Sequence, residues 1–528
     1  MRRMLIALTG VVLALAASAP AGLRAPAQTL PPVTATTFVV SGRGWGHGVG
    51  MSQYGALGFA NEGWMYDRVL AHFYPGTQLG PSPVARVRVL VAEAKPAVTV
   101  RSKAPFWVRD VLGTVYPLPA GSVRLGPKLR VTVNGAPTEL AGPIVFQPGA
   151  APLELDRPFR GQIEVAVTGR KLDAINILGL EQYLQGVVAQ EMPSAWPEEA
   201  LKAQAVAARS YALAHRLSGK PFDLYADVRS QVYGGIKGEH PRTTAAVQAT
   251  KGEVLLWEGK PIDALFHSTS GGATLDAAEV FGKPVPYLLG VDDPWSALSP
   301  VHRWGPTPVA EATLRKGLKL RVPVTALKLA RGASGRVASV QVVTATGATT
   351  KVTGADLRRA GGLRSTWITQ LATLSLTRPG GPVLYGRAVA ISGKAQGVKG
   401  AVLQQRVDGI WTVVGSGLKA KPKLLAPASF RILAGTLAGP VLKVPVAPVV
   451  SARRGAPLTV SGTVKPLAPG TVVQLQLGTE LTWRTVAQTT TGAEGEYTVT
   501  APEPGSYRVR VAPAGGFAQG LSAQIDLR

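Results

Sequence analysis

The stretch LEQYLQGVVAQEMPSAWPEEALKAQAVAARSYALAHRLSG (Leu180–Gly219) carries two helical patterns separated by a proline-bounded break. With Leu180 at 0° and about 100° per residue, Tyr183, Leu184, Val187 and Val188 fall in one apolar stripe between roughly 300° and 80°. Glu191 falls near 20° on the same wheel, in the middle of that stripe. Few carboxylates occupy a buried face by accident. Met192 precedes Pro193, which disfavours further α geometry, so the sequence puts Glu191 in the last turn, where carbonyl dipoles oppose its charge. Burial and the helix end both raise the pKa of such a group, the condition a general acid needs near neutral pH. The alternative is a structural carboxylate paired with Lys202 or Arg209.

Pro197 suits the first position of the second helix, with Glu198 and Glu199 favourable in its first turn, and Gly219 with Pro221 makes a stop. Leu201, Ala205, Ala208 and Ala212 form a small-residue stripe fit for close packing, bordered by Gln204 and Tyr211, which are placed to reach a ligand. Glu181 stands about 15 Å of helical rise from Glu191, beyond the spacing that paired-carboxylate glycosidases use. A mechanism needing one carboxylate fits better.

Upstream, GRGWGHGVGMSQYGALGFA (Gly42–Ala60) alternates Gly44, Gly46, Gly48 and Gly50 with Trp45, His47 and Val49. Read as an extended strand, it presents every side chain on one face and leaves the other bare for a close approach. Trp45 and His47 then offer a stacking surface and a hydrogen-bonding group for a sugar; the alternative is a tight structural strand with a satisfied histidine. No Gly-Lys-Ser/Thr follows and no βαβ unit surrounds it, so phosphate-loop and dinucleotide readings are excluded. Downstream, Phe266–Gly272 (FHSTSGG) has the hydroxyls and glycines of a binding loop but no G-x-S-x-G elbow. The six histidines show no spacing of the H-E-x-x-H kind.

The 528 residues predict about three domains. Hydrophobic residues at 46% and charged residues at 17% describe a chain that buries cores. Zero cysteines exclude disulfides, thiol nucleophiles, iron–sulfur clusters and Cys-bearing zinc sites. Arg2 and Arg3, the apolar run Met4–Ala17, and A-x-A sites ending at Ala19 and Ala27 read as a secretory signal peptide (1–27) cut after Ala27 or Ala19. The formal charge of +26 falls to about +23 without Arg2, Arg3 and Arg24. An exported cation of that size, without an RNP motif, zinc-finger spacing or a concentrated Lys/Arg run, is expected to face anionic wall polymers and not nucleic acid. No later segment is apolar enough to span a membrane.

A Pro/Thr-rich leader (28–37) precedes the glycine-rich segment (38–80); from 84 to about 170 short alternating stretches, Arg130–Val133 among them, read as strands and turns. Helices and a mixed region occupy 171–373. Ile391–Val414 and Val460–Val486 then resemble one another, each with a Ser-Gly pair, an alternating apolar strand and a later Trp. They predict two small β-sandwich modules of the Ig-like type, 374–447 and 448–528, acting as spacers or wall-binding units.

The run EQYLQGVVAQEMPSAWPEEALKAQAVAARSYAL, with SQVYGG, FHSTSGG, PYLLGVDDPW and GLRSTWI, resembles the SpoIID/LytB family of stage II sporulation protein D and the amidase enhancers. GHGVGMSQYGA with YDRVLAHFYPGTQL is similar to that family's glycine-rich signature, and the resemblance covers about Phe38–Ile368. Family members usually carry that signature after the helix pair; here it comes first, as if circularly permuted, so Trp45–Tyr54 is expected to pack near Glu191. Some members hold zinc through Cys and His ahead of the Gln-Val-Tyr motif, whereas Tyr225–Gln231 has neither, so neither a metal nor a cofactor is expected.

The resemblance implies an α+β catalytic domain (28–373) with a β-rich insert. It also implies a peptidoglycan lytic transglycosylase whose single catalytic acid is the Glu of the EMP motif, Glu191. The substrate-binding set expected around it is Trp45, His47, Ser52, Gln53, Tyr54, Gln204, Arg209, Tyr211, Gln231, His267, Ser268 and Ser270. The partners expected are peptidoglycan glycan strands and a cell-wall amidase, because the enhancer branch implies a non-catalytic accessory as the runner-up. A purely adhesive wall protein is the third reading.

Overall fold

The computed structural model describes residues 30–466, 469–479 and 482–528. The signal-peptide segment lies outside the described residues. Among the described residues no helix is long and apolar enough to cross a membrane.

The chain is rich in strands, and the helices that matter gather at one place. Arg86–Lys95, Lys171–Gly179, Gln162–Thr168, Ile144–Gln147, Phe106–Arg109 and Val115–Leu118 form an antiparallel sheet in that order, extended at one edge by Leu224–Tyr225, which runs parallel to Arg86–Lys95. Strand Lys171–Gly179 leads directly into the helix Leu180–Glu191, whose Tyr183, Leu184, Val187 and Val188 are fully buried against this sheet. The apolar stripe read from the sequence is therefore the packed face.

The second helix, Glu198–Ala214, ends ahead of the expected stop at Gly219, with His215 as its C-cap. Its small-residue pattern is broader than a stripe. Ala205, Ala208 and Ala212 enter the core beneath the sheet and helix Leu180–Glu191, while Leu201, Ala203, Val206 and Ala207 enter a second core with helices Gln53–Asn61 and Tyr66–Phe73. A helix covered on both sides needs small residues all round.

The expected boundary at residue 373 falls inside the strand Ile368–Arg378. That strand pairs on one side with Val33–Arg43 and on the other with Ile391–Gln396, so one sheet runs from Arg303–Ala310 through both to Lys419–Ala420. One face of this sheet supplies Val39, Leu374, Leu376 and Ile391 to the core of the first C-terminal unit; the other supplies Phe38, Val40 and Ile368 to a separate core. Pairing between strands more than 300 residues apart is invisible to a composition shift along the chain, which is what located the boundary.

The internal resemblance extends to side chains. In the first C-terminal unit Arg431 donates to Gln404 Oε1 (2.9 Å) and lies 4.3 Å over Trp411. In the second, Arg508 donates to Gln476 Oε1 (2.9 Å) and lies 4.3 Å over Trp483. The same cross-strand trio is built twice.

Candidate functional site

Glu191 is the last residue of its helix. The chain turns extended at Met192, whose side chain is buried in the second core and anchors the helix end. Gln53 Nε2 donates to the Glu191 main-chain carbonyl at 2.9 Å and to Gln204 Oε1 at 3.3 Å. The glycine-rich segment thus reaches the helix pair as expected, and a buried amide satisfies a carbonyl that a helix end leaves orphaned. Beside it, Tyr54 meets Trp196 edge-on at 4.9 Å between centroids. Trp196, absent from the residues singled out by sequence, sits in the proline-bounded turn right after Glu191; that position was the available signal.

The half-buried Glu191 carboxylate forms no ion pair and accepts no hydrogen bond among the described residues. Lys202 is taken by Glu198 (2.8 Å) and Glu199 (2.9 Å), and Arg209 by Glu181, so both partners of the structural alternative are spent elsewhere. With no compensating charge, burial alone pushes the Glu191 carboxyl above the usual glutamate range.

Gly44–Gly50 is not the extended strand expected. All four glycines have positive φ, between 70° and 123°, and the segment is tied by single bridges, Trp45 to Thr269 and Val49 to Leu275. A Cβ at Gly50 would stand 2.0 Å from the Leu265 carbonyl and one at Gly46 2.6 Å from the His267 Cβ. The close approach that glycine permits is taken by the 265–270 backbone. Met51–Ser52 then pairs in parallel with Phe266–His267, joining two of the sequence motifs.

At this junction Val49 N–H donates to His47 Nδ1 (3.1 Å), which leaves the proton on Nε2 to donate to the Phe266 carbonyl (3.0 Å). His267 lies 5.4 Å away between ring centroids; its Nδ1 donates to the Val49 carbonyl, and its buried Nε2 has no partner. Burial pushes His47 down to about 4 and His267 well below the histidine range. Both are neutral braces between the two segments. Because the unfolded-state pKa is near 6.5, stability is fully present above that pH and is lost as pH falls toward 4. Chemical denaturation at pH 7 and pH 4.5 should therefore differ by about 1–3 kcal/mol, a difference that His47→Asn reduces.

The other sequence-derived residues divide by exposure. Trp45 is 47% exposed, with Arg364 4.9 Å over its ring. Tyr211 is half-buried and stacks on His215 at 4.1 Å; His215 in turn meets Asp263 at 2.8 Å. Ser268 is partly buried, and its carbonyl accepts from Tyr54 N.

Ser52, Ser270, Gln231 and Arg209 are interior and do not face a ligand. Ser52 caps the helix Gln53–Asn61 and also accepts from Ser270 N–H, while Ser270 donates to the fully buried Asp293 at 2.5 Å. Gln231 accepts from the Tyr183 hydroxyl. Arg209 is fully buried, donating to both Glu181 oxygens (3.0 and 2.6 Å) and to the carbonyls of Glu253 and Val247. Spacing cannot distinguish a polar residue aimed at a ligand from one satisfied by a distant segment; Ser52, Ser270 and Arg209 are of the second kind, while Gln231 is buried with its Nε2 unpartnered among the described residues.

The stage II sporulation protein family model, SpoIID, matches residues 168–257, which hold both helices and Glu191. An uncharacterized protein of Brachyspira hyodysenteriae is 44% identical over 120 residues, 22% of this chain and 33% of that protein. Stage II sporulation protein D of Bacillus subtilis is 31% identical over 240 residues, 42% of this chain and 68% of that protein. The amidase enhancer of Bacillus subtilis is 44% identical over 110 residues, but the match spans only 21% of this chain and 15% of the enhancer. The chain thus spans a third of one relative's length and about two thirds of another's. This extent of identity means that the chain belongs to the SpoIID/LytB family.

Proposed function

We propose that this is an exported peptidoglycan lytic transglycosylase that cleaves between N-acetylmuramic acid and N-acetylglucosamine with Glu191 as sole acid and base. One observation carries the reading: a carboxyl in the middle of a buried apolar face, raised in pKa, that no cation or donor among the described residues neutralises. A partly buried carboxyl left unpaired in this way is costly when ionised, and groups perturbed like this cluster at functional sites. The protonated Glu191 donates to the glycosidic oxygen as the bond to the muramyl C1 breaks. The resulting carboxylate takes the proton of the muramyl 6-hydroxyl as that oxygen bonds to C1, which closes a 1,6-anhydro ring and returns Glu191 to its acid form. One carboxyl serves twice, so Glu181 remains free to hold Arg209. Trp45 and the Tyr54–Trp196 pair supply ring faces and edges for sugars.

A second reading, a wall-bound accessory that stimulates an amidase, is favoured by the identity to the amidase enhancer. Incubating glycan strands, with and without stem peptides, and analysing the ends by mass spectrometry separates the two. Anhydromuramyl ends are expected from the protein alone. Their absence on every strand type, together with faster release of stem peptides by an added amidase, overturns the enzyme in favour of the accessory.

A further inference from the structure

A surface remote from Glu191 has a chemistry of its own. Between Pro379 and Ala447 nine Lys and Arg residues stand against one carboxylate, Asp408, and no Asp or Glu occurs from Gly409 to Thr479. Among the described residues none of these nine cations forms an ion pair. Elsewhere in the chain such pairs are common, as at Arg88–Glu164 and Arg160–Glu239.

The sheet gathers part of this charge onto one face. Thr34 pairs with Thr377, Thr377 with Ser392 and Ser392 with Lys419, so these four form one row across four strands. The next row is Thr36, Ser375 and Lys394. Side chains alternate faces along a strand, and the opposite face carries Leu374, Leu376, Ile391 and Ala420 into the core. The first row and Lys394 therefore lie on the outer side, while Thr36 at the far end of the second row is buried and its hydroxyl bonds to that of Ser375. Beyond Lys419 the chain stays extended: Lys421 and Lys423 are exposed, while Ala420, Pro422 and Leu424 turn inward. Alternate residues on such a run are about 6.8 Å apart. A groove of about 550 Å³, lined by Leu30–Pro32, Arg378, Thr377 and Ser392, continues the hydroxyl row.

We propose that this face docks a linear wall polymer whose repeating charge is a phosphodiester. Ammonium groups spaced along an extended run meet successive phosphates of a chain polymer, and the outer hydroxyls of Thr34, Thr377 and Ser392 face their remaining oxygens. The carboxylate-free surroundings mean that no internal partner competes for the cations, and like charges so gathered stay apart most easily when a polyanion covers them. This proposal does not depend on the chemistry of Glu191.

The test uses the full chain with purified poly(glycerol phosphate), poly-glutamate, a neutral glycan, and vesicles of phosphatidylcholine with phosphatidylglycerol, at 50–300 mM salt. Binding to the phosphate polymer is expected to exceed binding to poly-glutamate and to vesicles at least tenfold. The variant K394Q/K419Q/K421Q/K423Q is expected to bind at least tenfold more weakly. Its slope of log affinity against log salt should be lower by about 3, at about 0.7 for each lysine–phosphate pairing removed from a flexible polyanion. A control of equal charge change, K95Q/K103Q/K128Q/K171Q, should bind as the wild type does. Equal losses in the two variants, equal binding to vesicles or to poly-glutamate, or no binding to the phosphate polymer each overturn the proposal. All eight lysines are exposed, and the pair K421Q/K423Q repeats the comparison with half the slope change if the fourfold variant does not fold.

Discussion

Glu191→Gln should lower the rate of anhydromuramyl formation by about 10²–10⁴-fold while leaving the fold intact and the protein no less stable at pH 7. Glutamine keeps the shape of the side chain and removes its proton chemistry. The sign of the stability change follows from burial, which raises the carboxyl pKa in the folded state above that of the unfolded chain. The contribution of such a group is fully present below the unfolded value, about 4.3, and is lost as pH rises through the higher folded value. At pH 7, above the unfolded value, the raised pKa of the unpaired carboxyl costs stability, and glutamine removes that cost. Melting curves of the two proteins should therefore separate at pH 7, with the variant higher, and converge below pH 4. A carboxylate retained for structure predicts the opposite order. In the wild type the alkaline fall of kcat/KM should lie above the ordinary glutamate range, since the first proton transfer needs the acid form. A variant that keeps activity within threefold removes Glu191 from the chemistry.

Arg209→Ala should be the most destabilising single change in the helix pair, by about 3–5 kcal/mol. The guanidinium is fully buried, and its removal strands Glu181 and the carbonyls of Glu253 and Val247. Glu181 also accepts from Gly252 N–H at 3.1 Å, so the ion pair ties the start of the helix Leu180–Glu191 to the strand Glu253–Trp257. At about 2–4 °C per kcal/mol for a unit of 150–250 residues, calorimetry should show the transition of this region fall by about 6–20 °C. Arg209→Lys should recover only part of this, because a point charge cannot span both carboxylate oxygens. Replacing the pair together, Arg209→Met with Glu181→Leu, should cost far less than either polar group left alone. Activity per folded molecule should stay within a few fold below the transition, because Arg209 does not face a ligand. A loss of turnover without a loss of stability would return Arg209 to the substrate-binding role that its sequence position implies.

The sequence by itself determined the two helices, the place of Glu191 on a buried stripe, the turn at Met192–Pro193 and the twofold repeat near the C-terminus. Each of these is local: a period of 3.6 or 2, a proline, or a motif repeated within one chain segment. The family, too, was legible, because its motifs are short and contiguous. Tertiary structure decided the rest. It spent Lys202 and Arg209 on other carboxylates and so left Glu191 unpaired. It turned Ser52, Gln231 and Ser270 inward and left Trp45 exposed, and it bent the alternating glycines into left-handed conformations against the 265–270 backbone. It also ran a single sheet through the boundary at 373, pairing Val33–Arg43 with Ile368–Arg378. The physical reason is the same throughout. Periodicity records that a face is covered, but the group that covers it, and the partner that satisfies a polar atom there, come from segments far away along the chain.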